Sequence, residues 1–161
     1  MQRFLPYTFW ILSSGLFLLS CNGNGDDDPN GEQTKEQLAI EELTGGNHIV
    51  WTVANGGLVS KDDQVVTANY ESFELGLIAN QNNKTYSSSP NLLFDQMGSW
   101  SFAGENFDKI QLTGEMPAAG KEISFTRTQD RLRLMFTVPA PSNARTNALA
   151  GTYIFELVKK P

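Results

Sequence analysis

The chain has 161 residues, of which 40% are hydrophobic, and a net charge of −6 at pH 7. This length suffices for one domain with its own hydrophobic core. Cys21 is the only cysteine and His48 the only histidine. An internal disulfide, a cysteine zinc cluster, a histidine-based metal site and a catalytic triad all lack the companion residues they need. No glycine-rich phosphate-binding motif occurs. We therefore expect no cofactor, no metal site and no catalytic residues.

Residues 1–20 have the plan of a secretory signal peptide. Arg3 supplies a positive charge, and residues 4–19 form an uncharged run rich in large apolar side chains. An uncleaved membrane-spanning helix is the competing interpretation. Such a helix needs roughly 20 apolar residues, whereas this run is shorter and has Pro6 near its start. The pattern therefore favours a leader that is removed.

The residues around Cys21 indicate how the mature chain would begin. Leu18, Leu19 and Ser20 directly precede it, an arrangement that resembles the lipobox of bacterial lipoproteins. The resemblance implies that residues 1–20 are cleaved, that Cys21 carries the lipid, and that the membrane is a partner through its acyl chains. Stable anchoring takes more than one chain. The alternative is an ordinary signal peptide in which the cysteine is incidental.

The segment 21–33 follows the lipobox and consists mainly of Gly, Asn and Asp. This composition predicts a flexible acidic tether, because it cannot bury enough apolar surface to become ordered. Asp26-Asp27-Asp28 also resembles the export signal of Bacteroidetes surface lipoproteins. That resemblance implies the outer membrane, at the cell surface or otherwise at its periplasmic face. The alternative is a solvated spacer that carries no export signal.

The acidity of the chain is concentrated near the tether. Residues 26–42 carry a net charge of −6, whereas residues 43–161 carry only −1. A nucleic-acid partner requires a concentrated basic surface. The near-neutral domain therefore argues against nucleic-acid binding, and its oligomeric state is left open by the sequence.

Residues 34–161 are predicted to fold as one domain that begins with a helix over 34–43. Thr34 and Gln37 fit a capping box, and Gly45 follows as a stop signal. The rest alternates apolar and polar residues, as antiparallel strands with one buried face do. Turn residues separate these runs. The predicted strands are 48–54, 64–69, 72–79, 84–88, 98–104, 108–114, 121–128, 131–138 and 151–159.

Three segments of this domain are similar to a known family. They are the Leu-Thr-Gly-Gly stretch that leads to Trp51, the Gly-Ser-Trp-Ser-Phe run over 98–102, and the Leu-x-Leu-x-Phe strand that leads to 151–157. Together they resemble the lipocalin-like lipoproteins of Bacteroidetes. The resemblance implies an all-β, antiparallel up-and-down barrel of about eight strands with one short N-terminal helix. Such a barrel is filled by side chains or holds one small ligand. The rings expected inside, enough for a largely filled interior, are those of Phe73, Trp100, Phe102, Phe125, Phe136, Tyr153 and Phe155.

Candidate contact residues fall into two chemical groups. Trp51 and Trp100 could stack on a sugar, although their strand positions favour core packing. Arg131 and Arg133 share a strand face and could bind a carboxylate or sulfate, unless that face is merely solvated. The long segment 139–150, which carries Arg145, is predicted to be a ligand- or partner-facing lid or else a flexible linker.

These observations lead to three hypotheses of different classes. The first is a lipid-anchored lipoprotein whose barrel binds a small apolar molecule or a glycan. The second is a structural envelope lipoprotein whose filled barrel docks to a protein complex. The third and least favoured is a carboxylate-based enzyme. A binding protein needs a pocket, a docking protein needs an exposed apolar surface, and an enzyme needs close ionisable groups in a cleft.

Overall fold

The structure, a computed structural model, describes residues 33–80, 83–140 and 148–161. The predicted leader, the predicted lipidation site at Cys21, nearly all of the predicted tether and Arg145 lie outside these residues. Within the described part, no helix is both long enough and apolar enough to cross a membrane.

The predicted N-terminal helix forms as α1, Lys35–Thr44. Its capping box is complete: the Gln37 backbone N–H donates to Thr34 Oγ1 at 3.2 Å, and the Thr34 N–H donates to Gln37 Oε1 at 2.9 Å. Gly45 ends the helix in a left-handed conformation, and its N–H donates to the Glu41 carbonyl. Local signals therefore suffice to begin and end this helix.

Ten strands follow α1 in the described residues, and all of their pairings are antiparallel. They form because apolar side chains alternate with polar ones, most regularly in the strand from Arg131, where every second residue is buried. In chain order they are β1 (His48–Thr52), β2 (Leu58–Lys61), β3 (Gln64–Val65), β4 (Glu74–Ala79), β5 (Lys84–Ser88), β6 (Met97–Phe102), β7 (Lys109–Leu112), β8 (Ile123–Thr128), β9 (Arg131–Val138) and β10 (Gly151–Lys159).

Eight of these strands close a barrel. The strands β1 and β4 to β10 are neighbours in chain order, and β1 pairs with β10 to complete the ring. The strands β1 and β2 run along the same edge of β10, with Thr52 opposite Val158 and Leu58 opposite Glu156. Residues 53–57 form a turn between them, in which the Gly57 N–H donates to the Val53 carbonyl at 2.8 Å, and β2 forms a hairpin with β3. The predicted all-β, antiparallel up-and-down barrel is confirmed.

The barrel has two ends, which are closed differently. We call the end covered by α1, with the connections 103–108 and 129–130, the helix end. The opposite end, formed by the connections 62–73, 89–96 and 113–122, is the loop end. Because neighbouring strands are antiparallel, successive connections alternate between the two ends.

The interior between the two ends is packed with side chains. Phe73, Phe94, Phe136 and Phe155 form a cluster whose neighbouring ring centroids lie 5.0–6.0 Å apart, which is the range of favourable ring contacts. All the rings expected inside are buried except Phe102, which is half-buried. Every buried side-chain nitrogen or oxygen in the described residues has a hydrogen-bond partner. The barrel is thus largely filled.

The strand prediction is wrong in one region. The expected strand over 64–69 is reduced to two residues of β3, and a 3-10 helix occupies Thr67–Tyr70. The strand β2 had not been expected at all. The reason lies in Asp62 and Asp63, which both adopt positive φ angles, 48° and 63°. This two-residue turn folds β3 back on β2, and the chain then bends into the 3-10 helix.

Candidate functional site

The loop end carries an open pocket of about 470 Å³. This volume lies in the range of ligand-binding pockets. Its walls come from the end of β2, the 3-10 helix, the connection 89–96 and the start of β10. The lining residues are Lys61, Val66, Asn69, Tyr70, Asn91, Leu92, Ala148, Leu149 and Tyr153.

Two tyrosines form the aromatic wall of the pocket. The Tyr153 hydroxyl donates to the Leu149 carbonyl at 3.0 Å, and Tyr70 lies in the same pocket lining. Burial, with a smaller contribution from Tyr153, raises the pKa of Tyr70 to about 12. Burial also raises the pKa of Tyr153. Both phenols are therefore neutral hydrogen-bonding groups at physiological pH.

Lys61 supplies the charged group of the pocket lining. Its Nζ donates to the Ala148 carbonyl at 2.6 Å and lies 5.8 Å from the centroid of the Tyr153 ring. These contacts hold the ammonium group at the pocket wall. Because an ammonium group has three N–H donors, two remain for a ligand or water.

Asn91 organises the loop that forms another wall. Its Oδ1 accepts from the backbone N–H groups of Leu93 and Phe94 at 2.8 and 2.7 Å. Its Nδ2 donates to Ser88 Oγ and to the Ser89 carbonyl. The side chain is thus used within the loop, and Asn69, which is exposed, is the amide available at the pocket.

The same loop closes the barrel beneath the pocket. Leu93 and Phe94 are buried, and the Ala118 N–H donates to the Leu93 carbonyl at 2.9 Å. The Asp95 carboxylate accepts from the N–H groups of Glu115 and Met116 at 2.9–3.2 Å. A side chain at Gly114 would overlap that carboxylate. Asp95 therefore joins two connections that are far apart in sequence.

Trp51 is part of the closure of the helix end. It is fully buried, and its Nε1 donates to the Leu43 carbonyl of α1 at 3.0 Å. Arg127 Nη1 donates to the carbonyls of Glu41 and Glu42 at 3.0 Å each, and its guanidinium lies 5.7 Å from the centroid of the Trp51 ring. Trp51 and Arg127 together fix the carboxyl end of the helix on the barrel.

Trp100 is also a core residue at this end. It is 3% exposed, and its Nε1 donates to the Ile78 carbonyl at 3.1 Å. Lys84 lies 6.0 Å from the centroid of its ring and pairs with Glu36 of α1 at 2.9 Å. Neither Trp51 nor Trp100 presents a ring face to solvent, so of the two roles weighed for them the structure favours core packing.

Arg131 and Arg133 share the outer face of β9, as the alternation predicts. Both are exposed. Arg131 Nη1 donates to the Gly56 carbonyl at 3.3 Å, and Arg133 Nε lies 4.0 Å from a Glu156 oxygen. They border a shallow groove of about 250 Å³ that is separate from the loop-end pocket.

The carboxylates of Asp62, Glu71 and Glu74 lie in separate positions on the barrel. Asp62 Oδ1 accepts from the Thr152 N–H at 2.8 Å. Glu71 follows the 3-10 helix and not a strand, whereas Glu74 pairs with Lys160 at 2.7 Å. In the described part of the chain, no three His, Cys, Asp or Glu residues are grouped so as to hold a metal ion.

The structure brings together residues that the sequence did not single out. Lys61, Asn69 and Tyr70 belong to the region whose strand pattern was wrongly predicted, and Tyr153 was expected only as an interior ring. The sole sequence signal was the turn at Asp62-Asp63. Comparisons of the chain with protein-family models, curated proteins and solved structures find no match.

Proposed function

We propose that this protein is a lipid-anchored lipoprotein of the bacterial outer membrane whose barrel binds a small glycan at the loop-end pocket. The observation that carries the proposal is the composition of this pocket. It combines the half-buried ring of Tyr70 with the exposed amide of Asn69 and the amine of Lys61, whereas the Tyr153 ring in the same lining is buried. Aromatic faces suit the C–H surfaces of sugar rings, and a few placed polar groups fix the orientation of a ligand.

The packed interior supports a glycan over a small apolar molecule. An apolar ligand of a barrel would sit inside it, where Phe73, Phe94, Phe136 and Phe155 pack against one another. The available space is at the mouth, where polar and apolar groups alternate around an opening. Such a site matches a ligand that needs both ring contacts and hydrogen bonds.

Glycan binding is tested by saturation-transfer-difference NMR on the full chain in phospholipid nanodiscs, against a panel of mono- and disaccharides. We expect signal transfer to at least one sugar, reduced several-fold in Asn69→Ala. The matched control is Asn106→Ala, which removes an exposed amide at the helix end. Equal signals in both variants, or no transfer to any sugar, would contradict the proposal.

The lipid anchor is tested separately. We expect Cys21→Ala to abolish metabolic labelling with an alkyne fatty acid and to release the chain from the membrane fraction, since acyl chains would provide the attachment. Asn106→Ala, handled in parallel, should remain labelled. A Cys21→Ala protein that stays labelled, or that stays on the membrane after its leader is removed, would contradict the lipoprotein assignment.

The packed interior also favours a second candidate function, a structural lipoprotein that docks to an envelope complex. Leu92 and Val65 at the loop end are 65% and 68% exposed, and exposed apolar side chains are a feature of contact surfaces. In this case cross-linking in cells would capture one partner reproducibly through the loop end. Replacing Leu92 and Val65 by Ser would then abolish the cross-link. Neither the unsubstituted protein nor this variant would bind a sugar.

A further inference from the structure

We infer that the loop-end pocket selects sugars that carry a carboxylate, with Lys61 as the counter-charge; this inference rests on the glycan-binding function proposed above. Lys61 is the one charged side chain among the residues described as lining the pocket. A ligand that carries a negative charge therefore meets a cation there and no lining anion. Neutral sugars would gain only the ring contacts and hydrogen bonds.

The position of the Lys61 ammonium is fixed before a ligand arrives. Its bond to the Ala148 carbonyl and its approach to the Tyr153 ring hold it beside the aromatic wall. Preorganised groups lose less freedom on binding, and hydrogen bonds between an ammonium and a carboxylate are stronger than neutral ones. The two remaining N–H donors can both face a carboxylate.

The Asp62 carboxylate lies near Lys61 but forms no ion pair with it within 4.0 Å. The Asp62 side chain and the Lys61 Cε atom both lie close to Gly151, but Asp62 Oδ1 accepts from the Thr152 N–H. Among the described residues, the ion pairs within 4.0 Å do not include Lys61. A half-buried ammonium group without a carboxylate partner gains from a ligand that supplies one.

The arrangement of the other groups suits a sugar ring next to that carboxylate. Tyr70 and Tyr153 stand beside Lys61, and Asn69 lies on the same rim. A uronic-acid ring would place its carboxylate at Lys61 and its hydroxyls at the amide. The pair Arg131 and Arg133 is a poorer match because its groove has no aromatic wall and Glu156 already lies beside Arg133.

The test compares methyl β-D-glucuronide with methyl β-D-glucoside, which differ by a carboxylate in place of a hydroxymethyl group. Dissociation constants are measured by NMR titration of the full chain in phosphatidylcholine nanodiscs at low salt. We expect the glucuronide to bind at least fivefold more tightly, and this preference to shrink as NaCl is raised because salt screens the charge pair.

Substitutions at Lys61 identify the source of the preference. Lys61→Gln should reduce glucuronide affinity to that of the glucoside, whereas Lys61→Arg should retain most of the preference. Arg131→Gln removes an exposed cation outside the pocket and should change neither affinity. The unfolding midpoint of each variant shows that the barrel is intact, and the salt dependence of the unsubstituted chain provides a readout that does not depend on any variant.

The outcomes separate this inference from the function on which it rests. Equal binding of the two sugars would overturn the carboxylate preference and leave the glycan-binding function standing. A preference that survives Lys61→Gln, or that is insensitive to salt, would overturn the role of Lys61. If neither these two sugars nor any sugar of the wider panel binds, both the inference and the proposed function fail.

Discussion

The two ends of the barrel are closed by different kinds of structure. The helix end is covered by one continuous element, α1, whose beginning and end are set by adjacent residues. In the described residues, connections that are distant in sequence cover the loop end, and Asp95 and the ring of Phe94 join three of them. A helix satisfies its own backbone groups and covers a surface continuously. Separate loops leave a space between them, and the pocket lies in that space.

This difference assigns stability mainly to the helix end of the barrel and ligand binding to the loop end. At the helix end, Trp51 and Arg127 hold α1 on the barrel, and the aromatic rings are enclosed. At the loop end, the half-buried side chains of Tyr70 and Lys61 border an opening. Binding residues are often carried by loops that a rigid scaffold positions. The comparison therefore predicts that changes at the helix end alter folding, and that pocket changes alter binding.

The largest expected effect comes from removing a buried ring at each end. Trp51→Ala and Phe94→Ala should each lower the free energy of unfolding by about 3–5 kcal/mol, because both leave a cavity in a packed core. Chemical denaturation measures the loss. Leu92→Ala, two residues from Phe94 but 65% exposed, should change stability by less than about 0.5 kcal/mol. A near-neutral Phe94→Ala would mean that the loop end is not packed as described.

Arg127→Ala should lower stability by about 1.5–3 kcal/mol, since it removes charge-assisted hydrogen bonds to two helix carbonyls and a contact with the Trp51 ring. Hydrogen exchange should show faster exchange confined to α1. Arg131→Ala is the matched control on the next strand, where the side chain is exposed. If the two variants behaved alike, Arg127 would not be what holds the helix.

Asp95→Ala should cost about 1–2 kcal/mol, because two backbone N–H groups of the connection 113–122 lose their acceptor. Exchange should accelerate at Glu115 and Met116 and stay unchanged in α1. Glu115→Ala, an exposed acid in the same connection, serves as the control and should be neutral. Accelerated exchange in α1 would contradict the independence of the two ends.

The smallest expected effect is a pH dependence at the loop end. Burial raises the pKa of Tyr70 from 10.0 to about 12, so the neutral phenol is favoured in the folded state. Its contribution to stability is complete below pH 10 and is lost as the pH rises through 12. The free energy of unfolding should thus fall from pH 10 to pH 12, and less steeply in Tyr70→Phe. Parallel curves for the two proteins would refute this.

The sequence predicted the fold more completely than the site. Strands β9 and β10 occupy the predicted ranges because their apolar alternation is regular, and α1 follows from Thr34 and Gly45. The region 58–70 was mispredicted because an Asp-Asp pair is a weaker signal for a hairpin turn than Asn-Gly or Asp-Gly.

The pocket could not be predicted for a related reason. Lys61 ends β2, Tyr70 lies in the 3-10 helix and Asn91 lies in the connection 89–96. Only the folding of the barrel places these elements together. Arg127 illustrates the same limit. It lies close to Arg131 and Arg133 in the sequence, but of these three arginines it is the one that donates hydrogen bonds to α1.

The most direct test of the two-ended account is hydrogen–deuterium exchange of the full chain in nanodiscs, with and without a saturating sugar identified by the NMR panel. The account predicts slower exchange in residues 61–70, 89–94 and 148–153, and unchanged exchange in α1 and residues 103–108. Protection at the helix end, or along the outer face of β9 without protection at the loop end, would contradict it.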